Sequence, residues 1–244
     1  MRDLLPRTWL RLARRTLLRL VDHALPEVCP ACGTAGAGLC RRCDQNLVRR
    51  GDPPCPRCGE LVLAARTRCI ADHRDLQRLA WHAAPWRYAG AGGALVRRFK
   101  LDGDAAAGRV IARGMADAAR LQAGAEWAGA ALVPVPLHGA RLRQRGFDQT
   151  AWLARRLADA LDMRCCVGVL ARRRATPPQG DPRVGSREAN VAGAFLARGV
   201  RAVRRRRVVL VDDVFTSGAT ARECARVLLA AGAREVALLT ACRS

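Results

Sequence analysis

The chain has 244 residues, half of them hydrophobic, which is enough for one ordinary α/β domain and a small additional module. No window approaches 18 uncharged apolar residues, so no transmembrane helix is predicted. Arginines interrupt the N-terminal region, which excludes the apolar core of a signal peptide. The eleven cysteines therefore favour metal ligands over disulfides, and we expect a cytoplasmic protein.

The net charge of +22 is typical of proteins that contact nucleic acid. All but one of the 43 basic residues are arginine, which indicates compositional bias in the coding DNA. Such bias explains arginine in place of lysine, but not 43 basic residues against 21 acidic ones. The aromatic content of 4% argues against an extensive base-stacking platform. Single-stranded DNA is therefore an open candidate partner.

Residues 1–27 form the first predicted unit, an amphipathic helix over residues 4–25. Leu10, Leu17 and Val21 fall on one side of this helix, and Arg7 and Arg14 fall opposite. The helix could dock on the body of the protein, lie on a membrane surface or contact nucleic acid, and we prefer docking.

Residues 28–75 form a cysteine-rich module with an internal repeat. Cys-Pro-x-Cys-Gly occurs at 29–33 and again at 55–59, and two thiolates at this spacing bind zinc from a tight turn. The trailing glycine permits the positive φ that such a turn often needs. The first zinc site is complete, with four ligands: Cys29, Cys32, Cys40 and Cys43.

The second zinc site is irregular. Cys55, Cys58 and Cys69 supply three thiolates, and the position of a fourth cysteine is taken by Asp72 with His73 beside it. We prefer His73, because imidazole is the commoner zinc ligand beside thiolates. Asp72 and loss of this zinc stay as alternatives, so the chain binds one or two zinc ions. The remaining cysteines are interpreted as ordinary buried residues: Cys165, Cys166, Cys224 and Cys242.

Residues 76–244 alternate between strand and helix patterns, which predicts an α/β domain with a parallel sheet. The predicted strands are residues 81–88, 130–135, 208–211 and 235–241. One predicted helix ends near Lys100, and the others cover residues 105–122, 147–161 and 221–231. Residues 171–192 lack periodicity, and a long irregular segment of this kind is often a lid.

Two basic features precede the lid. Lys100 is the only lysine of the chain and lies in a turn-like segment that could approach a phosphate, which favours a role that needs its compact ammonium group. The competing interpretation is that this lysine was left by chance when compositional bias replaced the others by arginine. Residues 141–149 carry several arginines after the strand that ends in Pro134-Val-Pro136. Basic residues at the carboxyl edge of a strand suit a pyrophosphate, although a solvated loop is the default interpretation.

The most informative segment is residues 208–220. An apolar strand is followed by Asp212 and Asp213, and then by small and hydroxyl-bearing residues that lead into a helix. Because ligands bind beyond the carboxyl ends of parallel strands and phosphate binds at helix N-termini, this segment predicts a sugar-phosphate site. A response-regulator receiver is excluded, since too few residues follow Asp213. A structural loop with one capping aspartate does not explain the second carboxylate.

Together these motifs resemble the ComF family of competence-associated, phosphoribosyltransferase-like proteins. The paired zinc knuckles match, as do the lysine turn at 99–103, Pro134-Val-Pro136 and the Arg-Gly-Phe-Asp-Gln segment at 145–149. Further matches are the run at 187–195 and Gln179 in the lid. Asp148 stands where the family usually has Asn.

The resemblance implies a type I phosphoribosyltransferase-like parallel sheet flanked by helices, with a small zinc-ribbon module before it. It implies that Asp212 and Asp213 hold the ribose hydroxyls of phosphoribosyl pyrophosphate, with Mg²⁺ on the pyrophosphate. The 5′-phosphate would lie on Thr216, Ser217, Gly218, Ala219 and Thr220. The pyrophosphate-side candidates are Lys100, Arg143 and Arg145.

The resemblance leaves two functional hypotheses. In the first, the protein binds phosphoribosyl pyrophosphate and serves DNA uptake in transformation, with single-stranded DNA and the uptake machinery as partners. In the second, it is a Mg²⁺-dependent phosphoribosyltransferase acting on a small-molecule acceptor. No residue pattern identifies that acceptor, and fold does not imply activity.

Overall fold

The computed structural model describes residues 27–36, 38–49, 55–60, 62–63, 68–69, 73–174, 189 and 191–244. The helix predicted over residues 4–25 lies outside these ranges, as do Asp72, Gln179, Arg187 and Asn190. The domain boundaries after residues 27 and 75 stay predictions.

The strands and helices predicted within residues 76–244 occur in their predicted order, and the structure adds short elements that were not predicted, including β7 at the start of the predicted lid. The strands are β1 (Val62–Leu63), β2 (Arg68–Cys69), β3 (His82–Ala83), β4 (Trp86–Arg87), β5 (Ala131–Pro134), β6 (Arg164–Cys165), β7 (Leu170–Arg172), β8 (Phe195–Ala197), β9 (Arg207–Phe215) and β10 (Glu235–Arg243). The α-helices are α1 (Arg41–Gln45), α2 (Gly90–Asp102), α3 (Ala105–Gln122), α4 (Gly139–Arg145), α5 (Gln149–Leu161) and α6 (Ala219–Ala230). Among the described helices, none has the length and apolar character needed to cross a bilayer.

A parallel sheet forms the centre of the fold, as predicted. Its described strands run in the order β3, β10, β9, β5 and β6, with β4 beside the far end of β10. Every pairing within this sheet is parallel. Two separate antiparallel pairs, β1 with β2 and β7 with β8, lie outside it.

Side chains of the central strands alternate between two cores. Val209 and Val211 of β9 pack against α2, α3 and α5, whereas Val208 and Leu210 pack against α6. Because both faces are covered, these strands are apolar on both sides, which accounts for the continuous apolar run in the sequence. The zinc module also divides between the cores, with Cys29 on the first face and Cys58 on the second.

Three predicted elements differ from the structure. The strand predicted at 81–88 is split into β3 and β4 around Pro85, which has no N–H for the ladder. The basic segment before Phe147 contains a short helix, α4, that its sequence did not reveal. The apolar strand predicted to end at Val211 continues to Phe215, because β10 pairs with it along its whole length.

The carboxyl end of β9 extends beyond the neighbouring strand β5. The neighbouring strand β5 pairs with β9 only as far as Pro134 opposite Val211. Pro136 follows two residues later and cannot donate to a ladder. On its β5 side, β9 therefore runs past the end of its neighbour, and its next two residues are Asp212 and Asp213.

Candidate sugar-phosphate site and zinc clusters

The two adjacent carboxylates lie on the overhanging end of β9. The backbone N–H of Asp213 donates to Asp212 Oδ1 (2.8 Å), which holds the first carboxylate beside the main chain. Lys100, near the C-terminal end of α2, places its Nζ 2.7 Å from Asp213 Oδ2. The Lys100 and Asp213 side chains are 33% and 17% exposed, so the ion pair is accessible to a ligand. The structure thus brings Lys100 to the adjacent pair Asp212 and Asp213, although 112 positions separate Lys100 from Asp212 in the chain.

The electrostatics of Asp212 are unusual. Burial, followed by the neighbouring charge of Asp213, raises the pKa of Asp212 from its ordinary value of 3.8 to about 7. The backbone hydrogen bond, Lys100 and Arg172 oppose this rise without cancelling it. The surroundings therefore do not compensate a full second negative charge, so a cation close to the pair would favour ionisation of Asp212.

The segment after the carboxylates forms a turn into a helix N-terminus. Gly218 has φ of +71°, a conformation that favours glycine, and α6 begins directly after it. Arg222 Nη1 donates to the Ser217 carbonyl (2.7 Å) and holds the turn in place. The Ser217 hydroxyl is buried and has no hydrogen-bond partner in the described part of the chain. A donor hydroxyl beside free helix N–H groups is suited to phosphate oxygens.

The pyrophosphate-side candidates are only partly brought to this site. Lys100 contacts the acidic pair directly, as described. Arg143 and Arg145 lie in α4, beyond the end of β5, and no contact between them and the carboxylates occurs among the described residues. Arg145 Nη1 is buried and unpaired in the described part of the chain, whereas Arg143 is exposed.

Arg172 is a site residue that sequence reasoning missed. It lies in β7, and its guanidinium stacks over the Phe195 ring at 5.3 Å. Burial and the charge of Arg141 lower the pKa of Arg172, while the charge of Asp212 raises it. Arg141, Arg172 and Asp212 are therefore within electrostatic reach of one another. In the sequence, Arg172 begins a run of three arginines that reads as a solvated charge run, so only the fold distinguishes it.

Asp148, which departs from the family pattern, has a structural role. Its Oδ1 accepts hydrogen bonds from the Ala151 N–H (3.0 Å) and the Thr150 hydroxyl (2.8 Å), and it caps the N-terminus of α5. A carboxylate is favourable at this position because of the helix dipole. The extra negative charge is thus compensated locally.

The first zinc knuckle forms a complete ligand cluster. Its sulfurs lie within 4.8 Å of one another, and Cys32 Sγ and Cys40 Sγ are 3.7 Å apart. Tetrahedral zinc with bonds of 2.3 Å needs sulfurs about 3.8 Å apart, so the cluster fits the ion. Gly33 adopts φ of +78° and its N–H donates to the Cys29 carbonyl (2.8 Å), as the knuckle predicts.

The second knuckle repeats this geometry. Gly59 has φ of +68° and donates to the Cys55 carbonyl (2.7 Å). The structure brings His73 to the three cysteines, with its Nε2 3.3 Å from Cys58 Sγ and 3.6 Å from Cys55 Sγ. Cys69 Sγ lies 3.3 Å from Cys58 Sγ. Both clusters have the donor set and spacing for zinc, and the ligand predicted for the irregular site, His73, lies in the second cluster.

Family comparisons agree with this organisation. Residues 20–71 match the double zinc ribbon domain family, and residues 150–244 match the phosphoribosyl transferase domain family. Competence protein F of Haemophilus influenzae is 35% identical over 107 residues, 43% of this chain and 47% of that protein. DNA utilization protein YhgH of Escherichia coli (strain K12) is 36% identical over 113 residues, 46% and 49% respectively. These matches span about half the length of either relative.

A longer match is Competence protein ComFC of Streptococcus pneumoniae, 28% identical over 210 residues, 81% of this chain and 84% of that protein. Among solved structures, an allosteric regulatory enzyme of purine biosynthesis has 24% identity and a TM-score of 0.35, over 60% of this chain and 26% of that one. A purine phosphoribosyltransferase from Pyrococcus horikoshii has 20% identity and a TM-score of 0.33, over 54% and 69%. Likeness at these scores supports no conclusion about function.

The ComF resemblance predicted from the motifs is confirmed. The chain matches the double zinc ribbon domain family and, after it, the phosphoribosyl transferase domain family, and it is similar to Competence proteins F and ComFC.

Proposed function

We propose that the carboxyl end of β9 binds phosphoribosyl pyrophosphate or a closely related sugar phosphate together with Mg²⁺. The observation that carries the proposal is the juxtaposition of Asp212 and Asp213 with a glycine turn and the N-terminus of α6. The carboxylates are acceptors for two ribose hydroxyls. The helix N–H groups and the unpaired Ser217 hydroxyl are donors for the 5′-phosphate.

The charges around the carboxylates favour a ligand with a second anionic group. Lys100 approaches from α2, and Arg172 lies within electrostatic reach from β7. These cations suit the pyrophosphate end of the ligand, while the helix N-terminus suits the 5′-phosphate. Mg²⁺, when bound with the ligand, would neutralise pyrophosphate charge, and a cation near the aspartate pair would favour the ionised form of Asp212.

The cellular role is proposed from the relatives. Their names refer to competence and to DNA utilization. We infer that the chain serves the handling of incoming DNA in the cytoplasm, where thiols stay reduced for zinc. The net charge of +22 supports contact with DNA. Transfer of the phosphoribosyl group to an acceptor would be a further activity, detected as acceptor-dependent release of pyrophosphate.

The test is a calorimetric titration of phosphoribosyl pyrophosphate with Mg²⁺ into the zinc-loaded protein. The variant Asp212→Asn with Asp213→Asn is expected to abolish binding, because it removes the charge that accepts the hydroxyls. The matched control is Asp159→Asn with Asp162→Asn, which makes the same charge change at exposed positions near the end of α5. Absence of binding by the wild type, or equal binding by the first variant, would contradict the proposal.

A further inference from the structure

A group of exposed arginines lies at the edge of the sheet opposite the acidic pair. The Arg205 N–H donates to the Gly232 carbonyl (2.7 Å), and the Arg234 N–H donates to the Arg206 carbonyl (2.9 Å). These bonds hold the turn before β9 beside the turn before β10. We call the resulting surface the arginine edge, and its exposed members are Arg198, Arg201, Arg204, Arg205, Arg206 and Arg234.

The charge of the arginine edge is not neutralised within the molecule. In residues 73–174 and 191–244, and in the shorter described ranges, none of the six forms an ion pair. Residues 198–206 contain no acidic side chain. The nearest carboxylate in the paired strands, Glu235, is bonded to Arg207 instead. Six like charges at one edge repel one another, so the surface favours an external polyanion.

The backbone of Arg205 gives a second, independent indication. Arg205 has φ of +60°, in the left-handed region where a residue with a side chain costs about 1 kcal/mol or more. Glycine occupies the comparable positions in the same two turns, Gly199 with φ of +58° and Gly232 with φ of +89°. Stability alone would favour glycine at 205 as well. Contact of the Arg205 side chain with a ligand would offset this strain.

We propose that the arginine edge binds the phosphate backbone of single-stranded nucleic acid. The six charges lie on two adjacent connecting segments, and a single strand, which is more flexible than a duplex, can bring successive phosphates to both. Among the described residues, the exposed large apolar side chains include one aromatic residue, Tyr88, which lies near the opposite end of β10. The contacts are therefore to phosphates, and binding is independent of base sequence.

The position of this surface separates it from the sugar-phosphate site. From Arg206 to Asp212 the chain runs six residues along β9, which spans about 20 Å. Nucleotides seated on the arginine edge therefore do not contact the carboxylates at the other end of the strand. The inference locates the DNA contact that we proposed from the relatives, and it does not depend on the sugar-phosphate site.

The test compares two variants that each lose four positive charges. The edge variant combines Arg204→Gln, Arg205→Gly, Arg206→Gln and Arg234→Gln. The control variant combines Arg109→Gln, Arg113→Gln, Arg155→Gln and Arg164→Gln, which are exposed elsewhere. Fluorescence anisotropy measures the affinity for a labelled oligothymidine over a series of salt concentrations.

For the wild type, the logarithm of the association constant is expected to fall linearly with the logarithm of the salt concentration. If all four edge arginines contact phosphates, the slope becomes shallower by about 3 in the edge variant, since each contact contributes about 0.7. The control variant is expected to keep the wild-type slope. Equal losses in both variants would show a general charge effect and overturn the proposed surface. Absence of binding by the wild type at low salt would overturn both the surface and the proposed DNA contact.

Three further measurements complete the test. Arg205→Gly alone is expected to weaken binding without lowering the melting temperature, which guards against a misfolded quadruple variant. Phosphoribosyl pyrophosphate with Mg²⁺ is expected not to displace the oligonucleotide, and displacement would contradict two separate sites. Tighter binding of duplex DNA than of oligothymidine would overturn the assignment to single strands. Binding of anionic lipid vesicles, without binding of oligothymidine or single-stranded RNA, would overturn it as well.

Discussion

The raised pKa of Asp212 predicts a pH-dependent loss of stability that a single substitution should remove. Asp212 has a folded-state pKa of about 7 against 3.8 in an unfolded chain. Its contribution to stability is therefore complete below about pH 4 and is lost as the pH rises through 7. Between pH 6 and pH 8, the folded protein gives up about 0.8 of a proton while the unfolded chain stays ionised. Integrating this difference gives a loss of about 1.4 kcal/mol in the free energy of unfolding.

The assay is thermal unfolding of wild type and Asp212→Asn at pH 6 and pH 8 with zinc held constant. For a domain of this size, 1.4 kcal/mol corresponds to about 4 °C in melting temperature. Zinc thiolates and histidines also respond to pH, but they do so equally in both proteins and cancel in the comparison. The wild type is expected to lose about 4 °C more than the variant. An equal pH response in the two proteins would refute the reasoning.

Asp213→Asn provides the control for the cause. The negative charge of Asp213 helps to raise the pKa of Asp212, after burial. Its removal is expected to move the midpoint of the pH response to lower pH, rather than to abolish the response. An unchanged midpoint would mean that burial alone sets the pKa.

Two other predictions concern Lys100, whose ammonium group pairs with Asp213, and the zinc sites. Lys100→Met should bind Mg²⁺ alone several-fold more tightly, because the ammonium no longer competes for Asp213, and should bind phosphoribosyl pyrophosphate with Mg²⁺ several-fold more weakly. Calorimetry measures both affinities, and Lys100→Arg is the control that retains the charge. If both affinities changed in the same direction, the role assigned to Lys100 would be contradicted. Zinc released by acid and measured by atomic absorption should be about two ions per wild-type chain and about one in His73→Ala. Two retained ions in that variant would mean that His73 is not a ligand.

Much of the fold follows from local patterns in the sequence. The apolar run at 208–211 predicts a buried strand because side chains on both faces of the sheet enter a core. The helix at 105–122 is observed with the predicted bounds, and Asp104 caps it through the N–H groups of Ala106 and Ala107. The glycine that ends each Cys-Pro-x-Cys-Gly knuckle likewise predicts the positive φ observed in both knuckles.

What could not be predicted depends on contacts between distant segments. The continuation of β9 to Phe215 depends on β10, which pairs with Asp212, Val214 and Phe215. Arg172 comes near Asp212 only because β7 packs against the sheet region beside α6. α4 consists of seven residues, none of which belongs to an apolar core, so it lacks the apolar periodicity by which helices are predicted.

The most direct test of the central claim is a crystal structure of the zinc-loaded protein with phosphoribosyl pyrophosphate and Mg²⁺. We expect the ribose hydroxyls on Asp212 and Asp213, the 5′-phosphate on the N–H groups of residues 217–220, and Lys100 drawn from Asp213 toward the pyrophosphate. A ligand bound away from β9, or an aspartate pair that keeps Lys100 and makes no contact with the ribose, would contradict the account.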